Sequence, residues 1–514
     1  MNGAESLVRT LVTGGVDVCF SNPGTSEMHF VAALDRVEGM RCVLGLFEGV
    51  VTGAADGYGR MTGRPASTLL HLGPGLANGL ANLHNASRAN VPIVNVIGDH
   101  ATYHKRHDAP LTADIEALAR PYSKWLRTCA TAAEVASDGA EAIAASRTAP
   151  GRIATLILPA DTAWNEGGAV APIPEVPVPP VPSDATVERA AAMLKAKLPT
   201  GIVLAGNALH GQGLALAGRI AAGTGARLMT PYSFARVERG DGRPIVERIP
   251  YAIDLAVERL KEFRQLIMVG PPPPVAFFAY PGKPSLLAPP DCAIHALARP
   301  GEDYVGALDA LAAALSLRTA PPNLQNAERT DLPGGAMSLA GLAAVLAALM
   351  PENAIVIDES ITSGRNLMAL TKGAPPHDWL ANTGGSIGIA LPMAVGAAVA
   401  SSERPVLCLS ADGSAMYTLQ ALWTMARESL KITTVIFANR AYAILMSEYA
   451  NVGAGNPGRR ALDMLQIGRP DLDFVALAHG MGVPGVRVAT LEDFAQALRG
   501  GLRSGGPNLI EVML

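Results

Sequence analysis

A chain of 514 residues is too long for one ordinary hydrophobic core, and usual domain sizes predict about three domains. With 49% hydrophobic and 17% charged residues, the composition excludes a disordered chain and predicts a well-buried α/β protein. The net charge of −4, with acids and bases mixed and no long Lys/Arg run, excludes a nucleic-acid partner.

The first residues carry Glu5 and no apolar core, so no signal peptide is expected. The cysteines Cys19, Cys42, Cys129, Cys292 and Cys408 are scattered and odd in number. They read as free thiols of a reducing compartment, which predicts a cytoplasmic protein. Asn22, Pro23 and Gly24 mark a turn. An apolar run over 43–55 follows, with Glu48 as its only charge. Residues 67–70 predict a strand that delivers His71, then Gly73, Pro74 and Gly75. A helix is predicted over 77–89 and strands over 91–97 and 153–158. Between those strands, 99–108 holds His100, His104, Lys105, Arg106 and His107. It reads equally as a basic surface loop or a mobile substrate loop, where Lys105 or Arg106 could bind a carboxylate.

Six prolines in 167–183 predict an extended linker. A strand over 201–205 leads into a glycine-rich turn, 206–213, then a helix over 214–222 and a strand over 265–269. The turn lacks G-x-G-x-x-G spacing and a ribose-binding acid. A structural turn is therefore favoured over a dinucleotide site. A second linker, 319–335, precedes strands over 354–357, 406–410 and 433–437, with a helix over 419–427. The apolar stretch 387–400 is too short to span a bilayer, so no membrane association is expected. These runs predict three doubly wound α/β domains with parallel sheets, over 1–166, 184–318 and 336–514.

Two features carry chemistry. Removing a carboxylate from water costs several kcal/mol, roughly, so Glu48 in an apolar run predicts a buried acid with a raised pKa, held for a purpose. A helix-terminal, partly exposed acid is the plainer alternative. The second feature is a strand running into Ala411, Asp412, Gly413 and Ser414. Ligands of doubly wound folds sit beyond such strand ends. Gly413 permits close approach, Ser414 can cap the next helix, and the helix start offers N–H groups to phosphate. The next strand ends at Asn439, which parallel pairing would bring beside Asp412. A carboxylate and an amide oxygen, completed by phosphate and water, suit Mg²⁺.

Asp412-Gly413 followed 27 residues later by Asn439 resembles the signature of thiamine-diphosphate-dependent enzymes. The run from Glu48 through Ala55, Asp56, Gly57, Tyr58 and Arg60 is similar to the E-x-x-x-x-x-x-A-D-G-Y-x-R pattern of that family. The resemblance covers essentially the whole chain and is nearest to the acetolactate synthase and benzoylformate decarboxylase branch. It implies thiamine diphosphate and Mg²⁺ as cofactors, with pyrimidine-binding, central and diphosphate-binding domains. Asp412, Asn439 and the carbonyl of Ala441 would hold the metal. Glu48 would share a proton with the pyrimidine ring. The Gly385 carbonyl would accept from its amino group, Ile387 would wedge the cofactor bent, and Ser360 and Thr362 would touch the diphosphate. Thr25, in the loop Asn22 to Glu27, and His71 would face the substrate, His71 relaying a proton.

The implied activity is non-oxidative decarboxylation of 2-oxo acids, carboligation, or both, in a homodimer or homotetramer with active sites between subunits. A benzoylformate-type decarboxylase giving an aldehyde is the alternative. The chain departs from the family at Ala411 and Arg440, where Gly and Asn are frequent. Phe47 stands where many relatives place histidine, and Asp99-His100 where acetolactate synthases place glutamine. The segment 274–280 lacks a second active-site histidine. Two other classes remain open at this level. They are a nicotinamide-dependent dehydrogenase, from the central glycine turn, and a non-catalytic regulatory relative.

Overall fold

A computed structural model describes residues 1–328 and 330–514. Apolar β-branched runs form strands and the longer runs between them form crossover helices, giving three sheets. The first has six parallel strands in the spatial order Arg41–Leu44, Val18–Asn22, Ala66–Leu70, Ile93–Asp99, Ile153–Pro159, Trp125–Thr128. Its central strands Ala66–Leu70 and Ile93–Asp99 are buried along their whole length, as a sheet covered on both faces requires. The central sheet has five parallel strands, from Val246–Arg248 through Arg227–Thr230, Thr200–Leu204 and Gln265–Val269 to Ala293–Ala298.

The third sheet runs Gly485–Val488, Asn508–Met513, Ile432–Ala438, Val406–Ala411, Ile355–Glu359, His377–Ala381. Its seventh strand, Val237–Arg239, comes from the central segment and pairs antiparallel with His377 to Trp379. The middle of the chain therefore lends an edge strand to the C-terminal sheet. Three residues are too short for sequence periodicity to mark. Residues 167–183 carry neither helix nor strand, as their prolines dictate.

The N- and C-terminal sheets are joined by two helices of small residues, Glu48–Thr62 and Ala390–Ala400. A Cβ on Gly57 would lie 2.1 Å from the Met393 carbonyl oxygen, and one on Gly396 1.9 Å from that of Ala54. Only glycine permits this approach. The apolar stretch 387–400 is thus the buried helix Ala390–Ala400, and no helix among the described residues is long and apolar enough to cross a membrane. Where the helices meet, Asp56 and Arg60 form a fully buried ion pair. Arg60 also donates to the carbonyls of Ala381 and Ala235 and to the Thr383 hydroxyl. One side chain so links all three parts of the chain.

The helix expected over 77–89 is Leu72–Arg88. Its first turn contains Gly73, Pro74 and Gly75. Proline is tolerated there because that N–H has no intrahelical partner. The five cysteines are free, with Cys19, Cys129 and Cys408 buried.

Candidate active site

The N-terminal sheet brings its chemistry to the carboxyl ends of neighbouring strands. Val18–Asn22 leads into Thr25 and Glu27, and Ala66–Leu70 into His71. Thr25 is exposed, whereas Glu27 is buried. The Nδ1 of His71 lies 2.8 Å from a Glu27 carboxylate oxygen, which also accepts the Gly24 N–H at 2.7 Å. The other Glu27 oxygen is buried without a hydrogen-bond partner, lodged where a Cβ on Gly98 would sit. Burial pushes the Glu27 carboxyl up, and His71 and the Gly24 N–H pull it back. Nδ1–H donation to Glu27 leaves Nε2 of the half-buried imidazole available for proton transfer.

Glu48 opens the helix Glu48–Thr62 and is 8% exposed. Asn78 donates to its carboxylate at 3.0 Å, and no cationic side chain pairs with it among the described residues. Glu48 and His71 are neighbours, since a Cβ on Gly75 would lie 3.4 Å from both the Glu48 carboxylate and the His71 Cβ. Beyond the strand Ile93–Asp99, Lys105 pairs with Asp99, so it is not a free carboxylate receptor. Arg106 is exposed and reaches His107.

The C-terminal sheet supplies the second cluster. Val406–Ala411 and Ile432–Ala438 pair in parallel, with Ala411 opposite Phe437, which places Asp412 and Asn439 side by side. Asp412 is 2% exposed. Its carboxylate accepts the Gly413 N–H at 2.8 Å and the Arg440 N–H at 2.6 Å. Burial pushes its pKa up and these N–H groups oppose the rise. No basic side chain neutralises it among the described residues, which fits a carboxylate built for a cation. Asn439 accepts the Ala441 N–H at 3.0 Å. No three His, Cys, Asp or Glu side chains converge in the described residues. A metal here would take Asp412, the Asn439 amide and the Ala441 carbonyl, an all-oxygen set suited to Mg²⁺.

Ser414 does not cap a helix as expected. The short helix starts at Asp412, with Ala411 at its N-cap and Ser414 buried in its first turn. A Cβ on Gly413 would lie 2.5 Å from the Tyr442 ring. Ser360 is also buried, with its hydroxyl spent on Asp358, so Thr362 is the freer hydroxyl of that loop. Three non-glycine residues with positive φ follow site residues directly: Leu72 (49°) after His71, Ile361 (47°) after Ser360, and Arg440 (58°) after Asn439. Strained backbone of this kind gathers at functional sites.

The loop from Asn382 to Gly388 carries Gly385 and Ile387. Asn382 accepts the Gly385 N–H and donates to the Ser386 carbonyl. Asn85 holds Ser386 from the N-terminal domain through two hydrogen bonds, and His84 Nε2 lies 3.1 Å from the Gly384 carbonyl oxygen. Phe277 covers Gly385. The loop meets the helix Glu48–Thr62 at Arg60, which donates to Thr383. A relay from the Gly49 carbonyl through Asn82 and Asn85 reaches Ser386 of the same loop.

Sequence reasoning passed over Glu27 and Glu359 as site residues. Glu27 is a lone acid after an apolar strand, a signal close to the one that singled out Glu48, whereas Glu359 ends its strand beside Asp358. The central glycine turn forms a 3₁₀ turn and helix, Gly206–Leu209 and Gly211–Thr224. It borders a cleft of about 960 Å³ that also touches Tyr232, Phe277 and Gly384.

This pair of clusters, on two parallel sheets, defines a cofactor-dependent enzyme of the thiamine type. The N-terminal thiamine pyrophosphate binding domain of thiamine pyrophosphate enzymes matches residues 1–118. The C-terminal binding domain of the same family matches residues 362–512. A Mycobacterium tuberculosis protein, provisionally named an acetolactate synthase large subunit, is 54% identical over 100% of this chain and 99% of its own length. Benzoylformate decarboxylase of Pseudomonas aeruginosa is 28% identical over 97% of this chain and 96% of its own. Among solved structures, the thiamine diphosphate-dependent 4-hydroxybenzoylformate decarboxylase of Rhodococcus jostii superposes with a TM-score of 0.87 at 25% identity, covering 100% and 99% of the two chains. The chain belongs to the thiamine pyrophosphate enzyme family.

Proposed function

We propose that the protein is a thiamine-diphosphate- and Mg²⁺-dependent decarboxylase of 2-oxo acids, with active sites completed between two copies of the chain. The observation that carries this reading is the pair Glu48 and Asp412. Both are buried carboxylates without a basic partner among the described residues, one in each matched binding domain. Asp412, Asn439 and the Ala441 carbonyl would hold Mg²⁺. Gly413, Ser414 and Thr362 would line the diphosphate end, with Ser360 shaping the turn through Asp358. Gly385 and Ile387 would meet the pyrimidine. When bound, thiamine diphosphate supplies a carbon nucleophile and an electron sink for the bond to carbon dioxide.

The residues of the chain do the rest. Glu48 holds a proton at the pyrimidine, oriented by Asn78. Thr25 and His71 face the substrate, and His71 exchanges a proton through Nε2 while Glu27 fixes the ring. A proton donor so placed favours release of an aldehyde, the benzoylformate-type outcome. Carboligation to a hydroxyketone is supported by the 54% identical relative named for acetolactate synthesis. The reducing-compartment cysteine pattern supports a cytoplasmic setting. The resemblance to thiamine-diphosphate-dependent enzymes supports a homodimer, or a tetramer of two dimers, in which Glu48 serves the metal site of the other copy.

A panel of 2-oxo acids with thiamine diphosphate and Mg²⁺, read for both aldehyde and hydroxyketone, tests the reading. Turnover is expected to need both cofactors and to vanish in Glu48→Gln. Neither turnover nor cofactor binding under these conditions would overturn it.

A further inference from the structure

We propose that Glu359 is a positioning residue that holds the Asn382–Gly388 loop in the shape that receives the pyrimidine end of the cofactor. The proposal rests on the thiamine-dependent reading above. Glu359 ends the strand Ile355–Glu359 and is 2% exposed. Five hydrogen bonds reach its carboxylate. The Gly388 N–H lies 3.1 and 3.2 Å from the two oxygens, that of Ile389 3.4 Å and that of Ala390 3.1 Å, and the Asn382 side-chain amide donates at 3.1 Å. Every partner is a donor, so the site suits an ionised acid that gives nothing back.

These contacts bracket the loop. Asn382 is its first residue and Gly388 its last. From within the loop Asn382 spans the interior, accepting from the Gly385 N–H at 2.8 Å and donating to the Ser386 carbonyl at 2.8 Å, while Asn85 holds Ser386 from outside. Glu359 therefore fixes the Asn382 amide, and Asn382 fixes the direction of the peptide groups around Gly385. Gly385 and Gly388 both have positive φ, 79° and 93°. Their peptides lack the steric restraint of a Cβ and depend on hydrogen bonds for their orientation. The other end of the carboxylate grips the first N–H groups of the helix Ala390–Ala400, the same helix that packs on Gly57 of the N-terminal domain. The loop is thus referenced to the close-packed junction between the N- and C-terminal sheets. Glu359 touches neither Asp412 nor Asn439 among the described contacts, so its role separates from metal holding.

In Glu359→Gln an amide NH₂ replaces one acceptor and faces main-chain N–H groups. Glu359→Asp falls one methylene short of the loop. Binding is measured calorimetrically at pH 8 with Mg²⁺, using two probes. Thiamine diphosphate needs the loop, whereas inorganic pyrophosphate needs only the diphosphate end. Both variants are expected to bind thiamine diphosphate about 10-fold more weakly, the effect of losing one hydrogen bond to a buried charge, and to bind pyrophosphate as the parent does. Amide hydrogen exchange over 384–390 should accelerate without a matching change elsewhere. Equal weakening of both probes, or faster exchange throughout the C-terminal domain, would show a general structural role and overturn the proposal. So would unchanged thiamine diphosphate binding. Failure of the parent protein to bind thiamine diphosphate would instead overturn the functional reading on which the proposal rests.

Discussion

At the residue scale the decisive contact is the one between Glu27 and His71. A carboxylate on Nδ1 orients the imidazole and leaves Nε2 as the nitrogen that, on the proposed function, would face the substrate. Glu27→Gln keeps the size and the Gly24 contact but removes the charge. The expected outcome is a fall in kcat of about 10²-fold, the lower range for a displaced acid–base group, with KM changed far less. The acidic limb of the pH–rate profile should also move, which steady-state kinetics from about pH 5 to about pH 9 would show. Loss of KM alone would assign Glu27 to binding. His71 was singled out by its place after an apolar strand together with the family resemblance. Glu27 was not, although it lies in the same Asn22–Glu27 loop. Its partner is 44 residues away, and only the parallel pairing of Val18–Asn22 with Ala66–Leu70 brings the two together. Arg440 shows the opposite case. The sequence marks it as a departure from the family pattern, and the structure gives its consequence, a left-handed residue with φ of 58° where asparagine is the better-tolerated side chain.

At the element scale, the sequence pattern marked the central strands and the helices Leu72–Arg88, Gly211–Thr224 and Ala421–Arg427, but left the long helices Gly3–Thr13, Glu48–Thr62, Val135–Arg147 and Leu491–Arg503 unmarked, and it missed what depends on a neighbour. The antiparallel strand Val237–Arg239 has no period of its own and exists because His377–Ala381 offers an edge. The start of the helix Leu72–Arg88 was hidden by its glycines and proline. The helix Ala390–Ala400 was legible as a buried apolar run, but its N-terminal anchor was not, since Glu359 lies 31 residues before Ala390. That anchor has a thermodynamic consequence. Burial raises the Glu359 pKa from 4.5 to about 7, against the pull of the Ala390, Ile389 and Gly388 N–H groups and the Asn382 amide. An acid with a raised native pKa binds more protons folded than unfolded, so stability is greatest below the unfolded value and is lost as pH rises from about 4.5 to about 7. The loss from this group is on the order of 3 kcal/mol. Denaturant titrations at about pH 4 and about pH 8, one on each side of that window, should show this fall in the parent protein and a flatter profile in Glu359→Gln. The same slope in both would exclude Glu359 as its source.

At the scale of the whole molecule, three sheets and a shared junction at Arg60 set where the two halves of the site can meet. Breaking the buried Asp56–Arg60 pair costs about 3–5 kcal/mol in general, so this junction fixes how the N- and C-terminal sheets sit within one chain. The sequence resemblance implies a site between subunits. The prediction is complementation. Glu48→Gln and Asp412→Ala should each be inactive, the first without its proton-holding acid and the second without its metal ligand. Mixed by refolding or co-expression in equal amounts, they form mixed dimers for roughly half the population by two-fold symmetry. In each mixed dimer one site pairs the intact Glu48 of one copy with the intact Asp412 of the other, while the second site carries both substitutions. About one quarter of parental activity should then return. If each site drew both residues from a single chain, every site in the mixture would carry one substitution and no activity would return. The outcome depends only on which copy supplies Glu48, and is independent of which 2-oxo acid is turned over or whether the product is an aldehyde or a hydroxyketone.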